Sequence, residues 1–236
     1  MLDYGNTVIE FDDPQITWIF EKLVPLLEKR LGAVDVRQLK RAMARVMGIP
    51  HGGQPPSFRE LPPLDLMRRF LREVYGEDSP LDGDLVKELD GELQDLFVAS
   101  IELEPEVGDV LDGLRRRIRL GLVSNYSCGE SLRRSLRTLG IEQLFDPVVV
   151  SGDVGLVKPH EKVFLTALEA LSLEPGSVLF VGDRWDIDLV GSMNAGMRTC
   201  HHLGYTRDRD LEERYRSYRP DYTIEHLRDL WQILEE

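Results

Sequence analysis

The 236-residue sequence predicts an α/β fold, and two observations carry that prediction. Between residues 14 and 100, apolar side chains recur at spacings of three and four residues, which is typical of helices with one buried face. From residue 105 onwards, short apolar runs alternate with helical patterns, as in a parallel sheet flanked by helices. We therefore expect a doubly wound, Rossmann-like parallel sheet core formed by residues 1–13 and 101–236, with residues 14–100 inserted as an all-helical cap.

The cap segment divides into four predicted helices, over residues 16–27, 36–47, 64–75 and 85–97. Pro25 should kink the first of them, because a proline inside a helix removes a backbone hydrogen bond. The longest glycine- and proline-rich stretch, residues 48–63, separates the second helix from the third. His51, Gln54 and Arg59 in this stretch would help to select a ligand if they reach the cleft, and would otherwise belong to a surface loop.

The core segment contains three strongly apolar runs, at residues 120–123, 148–150 and 178–181, which we predict to be buried strands. Two weaker strands are expected at residues 199–203 and 222–224, followed by an amphipathic helix over residues 227–234. In an open parallel sheet, ligands bind in the crevice beyond the carboxyl ends of the strands. The residues that directly follow each apolar run are therefore the candidates for chemistry.

The composition narrows the classes of function. Asp and Glu total 42 against 29 Lys and Arg, so the formal net charge of −13 repels nucleic acid and anionic membranes. No run of about 18 apolar residues is present, and the first ten residues lack the pattern of a secretion signal. Cys128 and Cys200 indicate neither a disulfide framework nor a metal motif. We therefore expect a cytoplasmic protein, either a monomer or a homodimer, whose partner is a small molecule.

Polar residues follow the first two strand positions of the core. Asp3 leads a tight turn through Gly5 to Thr7, and Ser124 and Asn125 follow the apolar run at residues 120–123 just before a helix. A helix N-terminus at that place would offer backbone N–H donors to an anion. Taken alone, these residues have simpler roles, since Asp-x-Gly turns are common and Ser or Asn also serves as a helix cap.

A lysine and a group of carboxylates follow the next two strands. Residues 151–159 carry Lys158 into the crevice and lead to a helix that starts at Pro159. Asp183, Asp186 and Asp188 come directly after the most apolar strand. Clustered carboxylates repel one another unless a cation neutralises them, and hard oxygen ligands favour Mg²⁺.

Taken in this order, the four segments resemble the signature of the haloacid dehalogenase superfamily of hydrolases. That signature is an Asp-x-Asp-x-Thr loop, a Ser or Thr, a Lys, and a Gly-Asp-x-x-x-x-Asp acidic motif. The residues that match are Ser124-Asn125, residues 154–159 around Lys158, and Gly182-Asp183 through Asp188 with the glycines that follow. The resemblance covers nearly the whole chain, and the helical insert looks like the small helical cap of that family.

The resemblance implies an activity and a role for each motif. The expected activity is magnesium-dependent hydrolysis of a small phosphorylated metabolite through an aspartyl-phosphate intermediate. Asp3 would be the nucleophile, and Lys158 would neutralise charge and hold Asp3 in place. Ser124 and Asn125, together with Lys158, would bind the phosphoryl oxygens.

The same resemblance implies a Mg²⁺ site. Asp3 and Asp183 would bind the metal directly, Gly5 would bind it through the backbone carbonyl, and Asp188 would bind it directly or through water. Asp186 is a second candidate for the place of Asp188, although a solvated helix position is its simpler role.

The sequence departs from the family pattern at two places. The second aspartate of the first motif, which is the usual general acid and base, is Gly5 here. We therefore expect slow hydrolysis that favours leaving groups needing little protonation, such as acyl, aryl or anomeric sugar phosphates. Only Met1 and Leu2 precede Asp3, where the family has a full central strand. Because two residues are too few for such a strand, we expect a natural start upstream of Met1 or missing residues.

Three other functions are consistent with the sequence. Gly5 also suits a catalytically impaired member that binds a phosphorylated ligand without turning it over. A dehalogenase of the same superfamily would keep the nucleophile and need no metal, so the intact acidic motif speaks against it. A phosphonate hydrolase would need a cap lysine that forms an imine. Four lysines lie in the predicted cap: Lys22, Lys29, Lys40 and Lys87.

Overall fold

A computed structural model of the protein describes residues 1–205, 209–215 and 217–235. An all-helical cap precedes most of the sheet, as predicted. Its helices are α1 (Asp13–Leu31), α2 (Val36–Met47), α3 (Pro63–Tyr75) and α4 (Gly83–Ser100). A single 3₁₀ turn, Ile49–His51, follows α2.

The local sequence explains how the cap helices begin and pack. At the start of α2, Asp35 accepts a hydrogen bond from the Gln38 backbone, and the Gln38 side chain accepts one from the Asp35 backbone. This reciprocal arrangement satisfies two donors that a helix start would otherwise leave unpaired. α1 continues through Pro25 as one helix. Phe20 of α1 stacks on Phe70 of α3 with 5.9 Å between ring centroids, which ties the two helices together.

The core is a parallel sheet whose strands lie within two residues of their predicted positions. The strands are β1 (Leu122–Ser124), β2 (Val148–Val150), β3 (Leu179–Gly182), β4 (Arg198–His202) and β5 (Tyr222–Ile224). β1 pairs with β2, β3 pairs with β4, and β4 pairs with β5, each in parallel.

The N-terminal segment, residues 1–3, joins the two halves of this sheet. Leu2 pairs in parallel with Leu122 of β1 on one side and with Val181 of β3 on the other. The Asp3 backbone N–H donates to the Val181 carbonyl at 2.9 Å. The segment therefore takes the central position through the pairings of Leu2 alone and not as a full strand. A central position requires only that the backbone groups find partners on both sides, and both neighbouring strands provide them.

Seven helices of the core alternate with the strands in the part of the chain that the structure describes. They are α5 (Pro105–Arg115), α6 (Gly129–Thr138), α7 (Ser151–Val154), α8 (Glu161–Leu171), α9 (Val190–Asn194), α10 (Arg209–Arg214) and α11 (Leu230–Ile233). α8 begins at Glu161, two residues later than predicted, and His160 forms its N-cap. The predicted C-terminal helix consists of a 3₁₀ turn, Leu227–Asp229, and the short α11.

Alternate strand residues bury opposite faces of the sheet. Leu122 and Val181 pack in one cluster with the cap, α5 and α6, whereas Val123 and Phe180 pack in a second cluster with α8. This division confirms the predicted doubly wound architecture, in which both faces of a parallel sheet are covered. Within the described residues, no helix is both long enough and apolar enough to cross a bilayer.

Candidate active site

Asp3 lies at the carboxyl edge of the sheet, directly after Leu2, and its side chain is buried. The neighbouring Tyr4 points elsewhere, because its hydroxyl shares a hydrogen bond of 2.7 Å with Ser135 in α6. Burial raises the pKa of Tyr4 above its ordinary value. Asp3 is therefore the ionisable side chain of this turn that faces the other motifs.

Gly5 stands where the resembled family motif has its second aspartate. The surroundings of Gly5 do not require glycine at this position. A Cβ at Gly5 would have one neighbour within 4 Å, the Cβ of Phe11 at 3.8 Å. The backbone of Gly5 is also outside the left-handed region that favours glycine. A Cβ therefore fits at this place.

Lys158 is the cation at the centre of the site. Its Nζ donates to Asp3 Oδ1 at 2.6 Å, to Asp188 Oδ1 at 2.6 Å and to the Val123 carbonyl at 3.0 Å. These acceptors use all three protons of the ammonium group. Burial alone would lower the pKa of Lys158, but Asp188 and Asp3 together raise that pKa above its ordinary value. Lys158 is therefore charged at neutral pH.

The surroundings of Asp3 disfavour its negative charge. Burial, opposed by Lys158 and reinforced by Asp188, raises the pKa of Asp3 from 3.8 to about 6. One lysine thus does not fully compensate the two carboxylates that it contacts.

A third carboxylate joins them. Asp3, Asp183 and Asp188 each present one oxygen, and these oxygens lie within 4.8 Å of one another. All three donors are hard oxygens at a spacing that one small cation can bridge, so the donor set fits Mg²⁺. Among the residues that the structure describes, no other group of His, Cys, Asp or Glu is arranged in this way.

The π-helix Trp185–Leu189, which follows β3, determines where the acidic side chains lie. Asp188 Oδ2 accepts a hydrogen bond from the Arg184 backbone at 3.1 Å. A Cβ at Gly182 would lie 2.6 Å from the Asp188 Cβ, so glycine is needed at the end of the strand. His201 donates from Nε2 to the Asp183 carbonyl at 3.0 Å. The π-turn therefore directs the Asp188 side chain back towards the strand ends. Such π-turns occur frequently at functional sites.

Asp186 does not join the carboxylate group. Its two oxygens accept hydrogen bonds from Arg184 Nε and Nη2 at 2.9 and 2.8 Å. Both side chains of this ion pair are partly exposed to solvent. Asp188 rather than Asp186 therefore lies beside Lys158.

Ser124 and Asn125 follow β1 at the same edge. Ser124 is buried, and it pairs with Val150 of β2 at the end of the strand register. Asn125 Nδ2 donates to the Lys158 carbonyl at 3.1 Å, and Asn125 Oδ1 accepts from the Lys158 N–H at 2.7 Å. Asn125 thus holds the peptide of Lys158, and its predicted contact with phosphoryl oxygens stays a prediction.

The stretch between α2 and α3 docks on the core instead of forming a free surface loop. The Val157 N–H donates to the Phe58 carbonyl at 2.8 Å, and the Glu60 N–H donates to the Gly155 carbonyl at 3.1 Å. This short antiparallel pairing ends one residue before Lys158. The cap therefore contacts the segment that carries the catalytic lysine candidate.

The three residues predicted from this stretch behave differently. The ring of His51 is partly buried and packs on Phe58 with 6.0 Å between centroids. Gln54 is exposed. Arg59 is also exposed, and its backbone forms a bridge to Leu156. None of these observations gives Gln54 or Arg59 a contact with the motif side chains.

Two residues at this junction were missed by the sequence analysis. The Ser151 hydroxyl donates to Glu60 of the cap and accepts from the Tyr126 N–H at 2.8 Å. The Tyr126 hydroxyl donates to Gln94 of α4 at 2.8 Å. The position of Ser151 directly after a strand was the available signal, whereas no pattern in the sequence pointed to Glu60.

The four cap lysines are all in contact with solvent. Lys22 lies over an indole ring at 5.8 Å, and Lys40 pairs with Asp13 at 2.7 Å. Lys22, Lys29 and Lys87 are exposed, and Lys40 is partly buried. A lysine that forms an imine is usually desolvated, which does not describe these side chains.

Comparison with known proteins identifies relatives. Residues 57–201 match the profile of the haloacid dehalogenase-like hydrolase family. A glyceraldehyde 3-phosphate phosphatase of Methanopyrus kandleri is 32% identical over 143 residues, which are 60% of this chain and 60% of that one. The pyrimidine 5'-nucleotidase YjjG of Escherichia coli is 33% identical over 132 residues, 55% of this chain and 56% of that one. The chain thus spans less than two thirds of the length of these curated relatives.

Solved structures match over almost the full length. A 2-haloacid dehalogenase from Pseudomonas syringae pv. Tomato DC3000 has a TM-score of 0.73 at 26% identity, covering 99% of this chain and 96% of that one. The magnesium-bound putative HAD-hydrolase YfnB from Bacillus subtilis shares the fold, with a TM-score of 0.72 at 18% identity over 100% of this chain and 97% of that one. Since the family profile covers more than half of the sequence, the chain belongs to the haloacid dehalogenase-like hydrolase family.

Proposed function

We propose that the protein is a magnesium-dependent phosphomonoester hydrolase that acts on a small phosphorylated metabolite through an aspartyl phosphate on Asp3. The observation that carries this proposal is the meeting of Asp3, Asp183 and Asp188 beside the buried Lys158. Three carboxylates outnumber one ammonium group, and when all three are ionised this excess of negative charge favours the binding of a further cation. Phosphoryl transfer requires such cations, because the incoming phosphate is itself an anion.

The relatives support a phosphatase rather than another hydrolase. Two of them are named for the removal of phosphate from small molecules, a glyceraldehyde 3-phosphate phosphatase and a pyrimidine 5'-nucleotidase. A third, from Bacillus mycoides, is named pyrophosphatase PpaX and is 34% identical over 116 residues. These names differ in substrate, so we propose a class of substrate and no single compound. The net charge of −13 supports a small substrate over nucleic acid or a membrane.

Each residue has a role in the proposed reaction. Asp3, Asp183, Asp188 and the Gly5 carbonyl would hold Mg²⁺, which when bound offsets the charge of the nucleophile and the phosphate. Asp3 attacks phosphorus as the bond from phosphorus to the leaving oxygen breaks. Lys158 keeps Asp3 oriented and ionised.

The phosphoryl group needs donors of its own. Ser124 provides a hydroxyl at the end of β1, and Asn125 acts through its hold on the Lys158 peptide. Water then attacks the phosphorus of the aspartyl phosphate. Inorganic phosphate leaves, and the Asp3 carboxylate is restored.

Hydrolysis of an aryl phosphate tests the proposal. We expect MgCl₂-dependent release of the phenol, abolished by EDTA and by Asp3→Asn. Asp186→Asn is the matched control, since Asp186 pairs with Arg184 and lies outside the carboxylate group. Activity that survives Asp3→Asn, or that does not need a divalent metal, would contradict the proposal. Phosphate binding without turnover would favour an impaired binding protein, and halide release from a 2-haloacid in EDTA would favour a dehalogenase.

The missing acid at Gly5 leads to a second part of the proposal, namely a preference for acidic leaving groups. Because a Cβ fits at this position, Gly5→Asp should raise the rate on alkyl phosphates by up to about 100- to 10,000-fold. Gly5→Ala fills the same space without a carboxyl group and should not raise it. A wild-type rate that is independent of leaving-group acidity would contradict this part.

We also propose the division of the chain into a cap of residues 14–100 and a core of residues 1–13 and 101–236. Its support is that α1 begins at Asp13 and α4 ends at Ser100, so the chain crosses between the two parts twice. Limited proteolysis should cut first near these crossings, and first cuts inside the cap or the sheet would contradict the division.

A further inference from the structure

The segment before Lys158 takes its backbone partners from the cap. Val157 is buried, and its N–H donates to the carbonyl of Phe58 in the cap stretch. A buried N–H that loses its partner costs free energy comparable to a lost hydrogen bond. The position of this segment, and of Lys158 after it, therefore depends on whether the cap stretch, the residues between α2 and α3, is bound to the core.

Glu60 attaches the cap stretch to the core through one carboxylate oxygen, while the other oxygen binds within the stretch. Glu60 Oε1 accepts from the Leu61 N–H at 2.9 Å, and Glu60 Oε2 accepts from the hydroxyl of Ser151. Ser151 is fully buried, and its oxygen also accepts from the Tyr126 N–H at 2.8 Å. The Ser151 hydroxyl thus links the cap to the residues that follow β1 and β2. Its proton is donated to Glu60, and one lone pair accepts from the Tyr126 N–H.

The hydrogen bond between Ser151 and Tyr126 also supports Lys158, through the loop after β1. Tyr126 directly follows Asn125, whose amide makes two hydrogen bonds with the Lys158 backbone. The Ser151 hydroxyl therefore steadies the loop that holds the Lys158 peptide. Glu60, by holding Ser151, supports Lys158 through this loop as well as through the backbone pairing of the cap stretch.

We infer that Glu60 is a positioning residue, which couples the seating of the cap to the placement of Lys158 between Asp3 and Asp188. Its effect on turnover rests on the proposed function. Its effect on the order of the segment before Lys158 does not, so the two can be measured separately.

Four variants and one control test the kinetic effect. Glu60→Ala removes both carboxylate contacts and should lower kcat for an aryl phosphate by about 10- to 100-fold, with KM changed by less than about threefold. Glu60→Gln keeps a polar group at both contacts and should stay within about threefold of wild type. Ser151→Ala should also lower kcat, and the double variant should be no worse than the slower single one, because both act through one contact. Glu92→Ala in α4 changes an exposed cap glutamate and should match wild type.

Hydrogen exchange measures the structural effect without turnover. The Val157 amide should exchange at least about tenfold faster in Glu60→Ala than in wild type or Glu92→Ala, since its partner becomes less firmly held. Circular dichroism and thermal melts confirm that the variants are folded at the assay temperature. An inactive wild type with this exchange pattern would refute the proposed function and leave the inference standing.

Several results would overturn the inference. They are a wild-type kcat in Glu60→Ala, a Glu60→Gln variant as slow as Glu60→Ala, additive losses in the double variant, or unchanged exchange of Val157. A loss of activity that simply follows the unfolded fraction would overturn it as well.

Discussion

Replacing Lys158 by methionine tests the charge balance of the site. Lys158 Nζ lies 2.6 Å from one oxygen of Asp3 and 2.6 Å from one of Asp188, and its side chain is 1% exposed. At an effective dielectric constant near 20, an ion pair at about 4 Å is worth about 4 kcal/mol. The desolvation cost of the ammonium group offsets part of the energy of the two ion pairs. Removal of the ammonium group should therefore lower the unfolding free energy by about 3–5 kcal/mol. Methionine keeps most of the volume, so the loss reports charge rather than a cavity.

The assay is urea unfolding of Lys158→Met and wild type, with EDTA or with MgCl₂, at about pH 5 and about pH 8. Mg²⁺ should recover part of the loss, because it brings positive charge to the same carboxylates. The loss should be smaller at the lower pH. The pKa of Asp3 is already about 6 with Lys158 present, and removing a neighbouring cation raises it further, so the carboxyl takes up a proton and stops repelling Asp188.

Lys162→Met is the matched control, because Lys162 lies in α8 and is exposed. It should change the unfolding free energy by no more than about 0.5 kcal/mol. The reasoning is refuted if Lys158→Met unfolds at the wild-type urea concentration at about pH 8 in EDTA. It is also refuted if the loss is the same at both pH values and is unaffected by Mg²⁺.

Three further predictions follow from the same contacts. Folding raises the pKa of Asp3 from 3.8 to about 6, so the stability that this group contributes below pH 3.8 is lost as the pH rises through 6. Because Mg²⁺ binds the ionised carboxylate, it should raise the melting temperature more at about pH 8 than at about pH 5. Equal shifts at the two pH values would contradict this. Asn125→Ala removes two hydrogen bonds to the Lys158 backbone and should cost about 1–3 kcal/mol in urea unfolding and lower kcat, whereas wild-type values would count against the proposed hold. Gly152→Ala would press a Cβ against a backbone oxygen and should destabilise the fold by about 1–3 kcal/mol. Gly91→Ala in α4, where a Cβ would have no atom within 4 Å, should stabilise the fold by up to about 1 kcal/mol. A reversed order of the two variants in thermal melts would refute this comparison.

The fold was predictable wherever a segment was long enough to show a period. The runs that contain Leu122 and Phe180 are apolar at every position, as expected for strands covered on both faces, and the structure buries alternate residues in two clusters. Residues 1–3 show no period, because two apolar side chains are too few to reveal one. Their place in the sheet comes from hydrogen bonds to strands that lie far along the chain, and no local pattern encodes such pairing.

The juxtaposition of Asp3, Lys158 and Asp188 was predictable for a topological reason, since each follows a strand position of one parallel sheet. The resemblance to the family motif favoured Asp188 over Asp186, but no local pattern revealed the π-turn that directs one carboxylate inward and leaves the other with Arg184. Glu60 could not be found at all from the sequence. Its contact joins the cap to the core, and such a contact appears only when the two parts are placed in space.

The arrangement of donors around Asp3 explains why the missing acid at Gly5 matters. Two neighbouring groups carry protons, yet neither is available to a leaving group: all three protons of Lys158 are engaged, and the Tyr4 hydroxyl is tied to Ser135 in the interior. In the proposed reaction, Lys158 therefore neutralises charge, and neither Lys158 nor Tyr4 supplies a proton. A leaving group that is stable as an anion does not need that proton, whereas an alkoxide does. Alkyl phosphates should thus be the poorest substrates of the wild-type protein, and among them the Gly5→Asp variant should show its largest gain.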